Sequence, residues 1–171
     1  MSVRTDRDIH IELTWSTPND PDESDEDGSD VDLHLLHPSG EYWNDDLWDC
    51  YYANESPDWG DPGPEGNPSL DIDDTTGAGP ENINLDAPED TDSLGAPYRV
   101  GVHYYSSEDF ELGRDFGASE ALIRVYLAGV LEGEYRRELP RAGNFWEVVA
   151  IFWTLQRTSV EEIDRLYDDI P

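Results

Sequence analysis

Lysine is absent from this sequence: all ten basic residues are arginine, set against 41 aspartates and glutamates, for a formal charge of -31. Between Arg7 and Arg99 there is no lysine or arginine at all, while acidic residues crowd the stretch from Asp20 to Asp92. Such a chain repels nucleic-acid phosphates and anionic lipid, because the summed charge sets the long-range field. Nucleic acid and membrane insertion are therefore excluded as expected partners. A single cysteine, Cys50, rules out an internal disulfide and reads as a buried thiol. No apolar run approaches the length of a transmembrane helix, and the opening Met-Ser-Val-Arg-Thr-Asp-Arg-Asp has no apolar signal-peptide core. No Sec-type export is expected; the predicted location is a virus particle or cell surface reached by assembly, otherwise the cytoplasm. Phosphate-loop and nucleophile motifs are missing too, which argues against an enzyme.

Two physical readings of the charge compete. One is adaptation to molar salt, where the Debye length falls to roughly 3 Å and self-repulsion is screened; the missing lysines favour it and point to a halophilic source. The other is local cation binding, which the clustering favours.

What is present argues for a folded core. Hydrophobic residues make up 36% of the chain and aromatics 11%, including six Trp and nine Tyr, whereas disordered acidic chains are poor in aromatics. The length suits one domain, 1–171, with a core over 9–153 and a tail or helix over 158–171. Ile9 to Trp15 alternates apolar and polar residues, and Val31, Leu33 and Leu35 share a strand face opposite Asp30, Asp32 and His34. After the turn His37-Pro-Ser-Gly40, Glu41 to Trp43 begins a return strand. Residues 44–82 form a long loop rich in Asp, Asn, Gly and Pro. Further strands follow at 82–85, 98–105, 121–127, 130–136 and 146–153. Ser159 and Glu162 make a capping pair, with Val160, Ile163 and Tyr167 at helical spacing, so a short closing helix is expected. The fold class is all-β: an antiparallel, jelly-roll-like β-sandwich with long acidic calcium-binding loops and a short C-terminal helix.

Asp30-Val-Asp32 and Asp71-Ile-Asp73-Asp74 share a design in which carboxylates two apart project from one strand face while Val31 or Ile72 anchors the other. The loop Thr75-Thr-Gly-Ala-Gly-Pro-Glu81 then brings Glu81 back toward the same place. Calcium takes six to eight oxygens, which such clusters offer, whereas zinc would want His and Cys. Asp45, Asp46, Asp49, Asn54 and Asp58 offer a second site. Asp20 to Asp27 reads as a solvated acidic loop, and His34, His37 and His103 as structural histidines.

The run Leu13-Thr-Trp15, Asp30-Val-Asp-Leu-His-Leu35, Pro38-Ser-Gly40, Asp49-Cys-Tyr-Tyr52, Pro57-Asp-Trp-Gly60, Asn67-Pro-Ser-Leu-Asp-Ile-Asp-Asp74, Gly77-Ala-Gly-Pro-Glu81 and Tyr98-Arg-Val-Gly-Val-His-Tyr-Tyr105 resembles a family of uncharacterised β-sandwich domains of large secreted bacterial proteins, notably of myxobacteria. The resemblance covers about Ile9 to Trp153. A fainter similarity is to the calcium-binding domains of tellurium-resistance proteins. It implies metal-ligand roles for Asp30, Asp32, Asp71, Asp73, Asp74 and Glu81, although the Trp-rich insertion departs from that pattern.

The functional expectation is a non-enzymatic, calcium-binding structural or surface-interaction subunit of a virus particle, surface layer or appendage, working through protein partners or self-assembly. One alternative is a calcium-dependent glycan- or cell-surface-binding module, with Trp43, Trp48, Tyr51 and Trp59 stacking on sugar rings; their exposure decides. The other is a glycoside-acting enzyme built on paired carboxylates.

Overall fold

The computed structural model describes residues 7–25, 27–60, 62–75, 77–108, 113 and 115–171. The first six residues of the N-terminal segment, Glu26 of the acidic run and Thr76 of the glycine loop lie outside the described residues. The strands are β1 (Ile9–Ser16), β2 (Gly28–Leu36), β3 (Asp49–Cys50), β4 (Ser69–Ile72), β5 (Glu81–Leu85), β6 (Tyr98–Glu108), β7 (Ser119–Leu127), β8 (Val130–Leu139), β9 (Phe145–Trp153) and β10 (Thr158–Tyr167). A 3-10 turn at Pro64–Gly66 and a one-turn helix, α1 (Thr91–Leu94), punctuate the connections. The strands form two five-stranded sheets, ordered β4-β5-β1-β7-β8 and β10-β9-β6-β2-β3, and the described pairings are all antiparallel. The all-β sandwich read from the sequence is the observed architecture. Among the described residues no helix is long and apolar enough to cross a membrane.

Alternation explains the core. Ile9, Ile11, Leu13 and Trp15 of β1, with Ile123, Val125 and Leu127 of β7, face Val31, Leu33 and Leu35 of β2, Val100, Val102 and Tyr104 of β6 and Ile151 of β9, all essentially inaccessible. Burying each such side chain contributes about 1.5–3 kcal/mol relative to leaving it in water. Cys50 is a buried free thiol in the same cluster, and burial raises its pKa.

The second sheet is covered on its outer face as well. Asp32, His34 and Leu36, on the polar side of β2, are as hidden as the residues between them, because the 37–60 segment folds back over them. Leu36, Trp43 and Phe145 make a small second core there, with Trp48, Tyr167 and Ile170 at its margin. Gly101, opposite His34 on β6, leaves room for two rings of that core: a Cβ there would run into Phe145 and lie 3.1 Å from Trp43. Gly101→Ala is expected to destabilise the fold by about 1–3 kcal/mol through overpacking, read from the urea midpoint at unchanged slope.

Two local expectations are corrected. Glu41 to Trp43 is not a return strand: Asn44 takes a φ of 60°, Asp45 Oδ1 accepts from the Leu47 and Trp48 amides, and the return pairing is deferred to β3, where Cys50 and Asp49 face Leu35 and Leu36. The tail is not a helix. β10 pairs with β9 from Thr158 opposite Trp153 to Tyr167 opposite Phe145, with a register break between Glu162 and Arg165. Val160 and Leu166 lie against the main core and Tyr167 against the second one, the alternation of a strand and not the single face of a helix. Asp164, at a φ of 49°, holds the break: its Oδ1 accepts from Trp146 Nε1 at 3.0 Å and from Arg137 on β8 at 2.5 Å, linking the two sheets.

Candidate metal centre

The site begins where β2 of one sheet meets β5 of the other. β3 covers only Leu35 and Leu36 of β2, so the strand edge upstream needs another partner. Glu81, the first residue of β5 and fully buried, supplies it: Oε2 accepts from the Leu33 amide at 2.7 Å and Oε1 from the Asp74 amide at 3.3 Å. The glycine loop delivers Glu81 there. Asp74 gathers the loop by accepting from the Gly77 and Gly79 amides, each at 3.1 Å, and the Trp15 amide donates to the Ala78 carbonyl at 3.0 Å. Gly79 sits at a φ of 81°, and a Cβ there would lie 2.9 Å from the Leu13 carbonyl oxygen, so only glycine suits the turn.

Asp32, Asp73 and Glu81 each place a carboxylate oxygen within 4.8 Å of the others, the one such grouping of potential ligands found among the described residues. Asp32 is 2% exposed, and its Oδ2 is buried without a hydrogen-bond partner, 3.8 Å from His103 Nδ1. Asp30 Oδ1 is likewise buried without a partner. Asp30, Asp32 and Asp73 line a cavity of about 210 Å³ with Thr75, Tyr52 and Tyr105.

The electrostatics follow from crowding like charges out of water. Burial, then Asp32 and Asp73, push Glu81 up to about 9 against the lowering effect of its two amide donors. Burial, then Asp32, Asp73 and Asp74, push Asp30 up to about 8. Asp73 is also raised, chiefly by burial and Asp32, while a hydrogen bond with Glu81 lowers it. The two amides bonded to Glu81 call for an anion, whereas its surroundings resist one; a cation among these oxygens removes the conflict. The donor set is oxygen-rich and hard. With calcium–oxygen bonds of 2.3–2.6 Å, oxygens sharing an ion can stand up to about 5 Å apart, so the observed spread fits calcium without rearrangement.

The other predicted ligands are placed elsewhere. Asp71 turns to Ser69 Oγ at 2.8 Å and Asn84 Nδ2 at 2.5 Å, because the register slips between Leu70 and Ile72 and the strand ends before Asp73. Ile72 anchors nothing, being 48% exposed. Asp74 shapes the loop as described above. Asp45, Asp49 and Asn54 are not gathered round a common point. Asp45 caps a turn, and the Asn54 amide group donates to the carbonyls of Asp46 and Asp49. Asp49 is buried, its Oδ2 meeting the Asn44 amide and His34 Nδ1, each at 2.8 Å.

The four candidate stacking aromatics are packed inside. Trp43 lies against Phe145 at 4.8 Å and Tyr51 stacks on His34 at 5.0 Å. Trp48 and Trp59 flank His37, both at 4.7 Å, and Trp43, Tyr51 and Trp59 are buried. His37 Nδ1 accepts from the Ser39 amide, Nε2 lies 3.3 Å from Glu89, and burial pushes its pKa down to about 4. Trp43, Tyr51 and Trp59 form a floor beneath the loop, hidden from a sugar, with Trp48 half-buried at its margin. Sequence reasoning passed over Tyr52, Thr75, Tyr105 and the proximity of His103 to Asp32. The one available signal was the alternation that sends Tyr52 opposite to the buried Tyr51. No protein-family model matches the chain, and a search of curated proteins finds no significant match.

Proposed function

We propose that this chain binds calcium through Asp30, Asp32, Asp73 and Glu81 and serves as a non-enzymatic structural or surface-interaction subunit in a high-salt setting. The observation that carries the reading is Asp32: its Oδ2 is hidden from water without a hydrogen-bond partner, and its carboxylate is grouped with those of Asp73 and Glu81. Burying an ion so costs heavily unless an opposite charge accompanies it. A dication there ties β2 to the start of β5, and so one sheet to the other. Catalysis is disfavoured because Glu81 is inaccessible to a substrate and both its oxygens are engaged by backbone amides. The charge of -31 suits a protein whose self-repulsion is screened by molar salt, and suits association only when cations are present.

Calorimetric titration with calcium in molar potassium chloride tests the site. The parent chain is expected to bind saturably, and Asp73→Asn, at an exposed position, to bind about tenfold or more weakly with unchanged circular dichroism. Light scattering is expected to show larger species with calcium than with chelator. A calcium-indifferent monomer would sink the reading.

A further inference from the structure

Two of the carboxylates, Glu81 and Asp32, approach the candidate ion from the buried side. Glu81 is fully buried and Asp32 nearly so, while Asp30 and Asp73 reach the ion from the cavity that they line with Asp32, Thr75, Tyr52 and Tyr105. Calcium takes six to eight oxygens, so an ion held by Asp30, Asp32, Asp73 and Glu81 keeps coordination positions that face this cavity. The two tyrosines are 38% and 50% exposed, their ring centroids 5.4 Å apart and their planes inclined at 63°. They are held from behind: Tyr52 meets the edge of buried Tyr51 at 5.3 Å, and Tyr105 that of His103 at 5.9 Å. Exposed aromatics fixed in this way, beside an ion with open positions, form a recognition site and not a solvated surface.

We propose that the open face of the ion is a binding site for a neutral polyhydroxyl ligand, one sugar ring of a glycan, whose vicinal hydroxyls complete the coordination while its apolar face rests on Tyr52 or Tyr105. The inference rests on the calcium reading above and deepens it. Charge selects the ligand class. Four carboxylates around one dication leave the site negative, and the chain as a whole is strongly so, which disfavours a carboxylate or phosphate ligand; hydroxyl groups coordinate calcium without bringing charge. The aromatics that would stack are therefore not those of the 43–59 segment's buried floor but the pair at the cavity mouth.

The test is retention of the full chain on mannan and galactan supports, which present differently placed vicinal diols, with alginate as the acidic control and calorimetry reporting calcium affinity for every variant. Expected are retention on a neutral support in calcium, its loss in chelator, and none on alginate. Tyr52→Ala and Tyr105→Ala should each weaken retention about tenfold with calcium affinity unchanged, the unchanged affinity also certifying the fold. Calcium binding without retention on either neutral support, retention unaffected by both substitutions, or preference for alginate would overturn the inference and leave the metal site standing. Absence of calcium binding in the parent chain would remove both.

Discussion

Glu81→Ala is expected to abolish calcium binding and to cost most of its stability only when calcium is present. In chelator the substitution leaves the Leu33 and Asp74 amides without their acceptor, a penalty of about 1–3 kcal/mol, but it also relieves the crowding with Asp32 and Asp73. In calcium at about 100 times the dissociation constant, the parent gains about 2.7 kcal/mol that the variant cannot recover. Glu81→Gln keeps one acceptor oxygen and discards the charge, so in chelator it should melt near or above the parent, and in calcium well below it. Thermal unfolding of the three proteins in molar salt, with calcium and with excess chelator, gives six melting temperatures whose order is fixed in advance. A parent melting temperature unmoved by chelator would reduce the cluster to a set of protonated acids with no ion to hold.

Stability against pH should change shape when calcium is removed. Asp30 and Glu81, ordinarily near 3.8 and 4.5, are pushed up to about 8 and about 9 in the folded chain, so the native state binds protons that the unfolded state has released. Their contribution is fully present below about pH 4 and is lost as pH rises through about 8 to 9, because stability falls wherever the native state holds more protons. His37, pushed down from 6.5 to about 4, has the opposite sign: its contribution is lost as pH falls from about 6.5 through 4. Two carboxyls outweigh one histidine, so the ion-free protein is expected to melt highest near about pH 4 and to weaken steadily from there to about pH 9. Calcium, which favours the ionised carboxylates, should remove this decline and leave the acid limb set by His37. Binding at pH 7 should then release protons, seen as a calorimetric enthalpy that varies with the ionisation heat of the buffer. A decline identical with and without calcium would show that these carboxyls do not face the ion.

Much of this was legible from the chain, for definite reasons. Period-two alternation in Ile9 to Trp15 and in Val31 to Leu35 reflects a buried face, and the structure buries those residues in the main core. Asp30, Asp32, Asp73 and Glu81 stood out because carboxylates beside apolar strand residues cannot all turn to water. What stayed hidden depends on register and on contacts distant in sequence. Asp71 shares the spacing of Asp73, yet the slip between Leu70 and Ile72 sends it to Asn84. The helical spacing of Val160, Ile163 and Tyr167 carries no helix, because the backbone of that segment pairs with β9. The outer burial of His34 and Trp43 needs Phe145, more than a hundred residues away, to cover them. The glycine loop foretold that Glu81 returns toward Asp32, but not that the two stand on strands of different sheets, which no local pattern encodes.

The irregularity at Asp164 governs how copies of this protein can meet. β10 is an outer strand of its sheet, and a long, flat one would offer its free amides and carbonyls to the next molecule, inviting unlimited strand-by-strand growth. The kink at Asp164, pinned by Arg137 and Trp146, and the neighbouring Glu161, Glu162 and Arg165 make that ribbon crooked and charged. Strand-by-strand growth along this rim is disfavoured by that crookedness and charge.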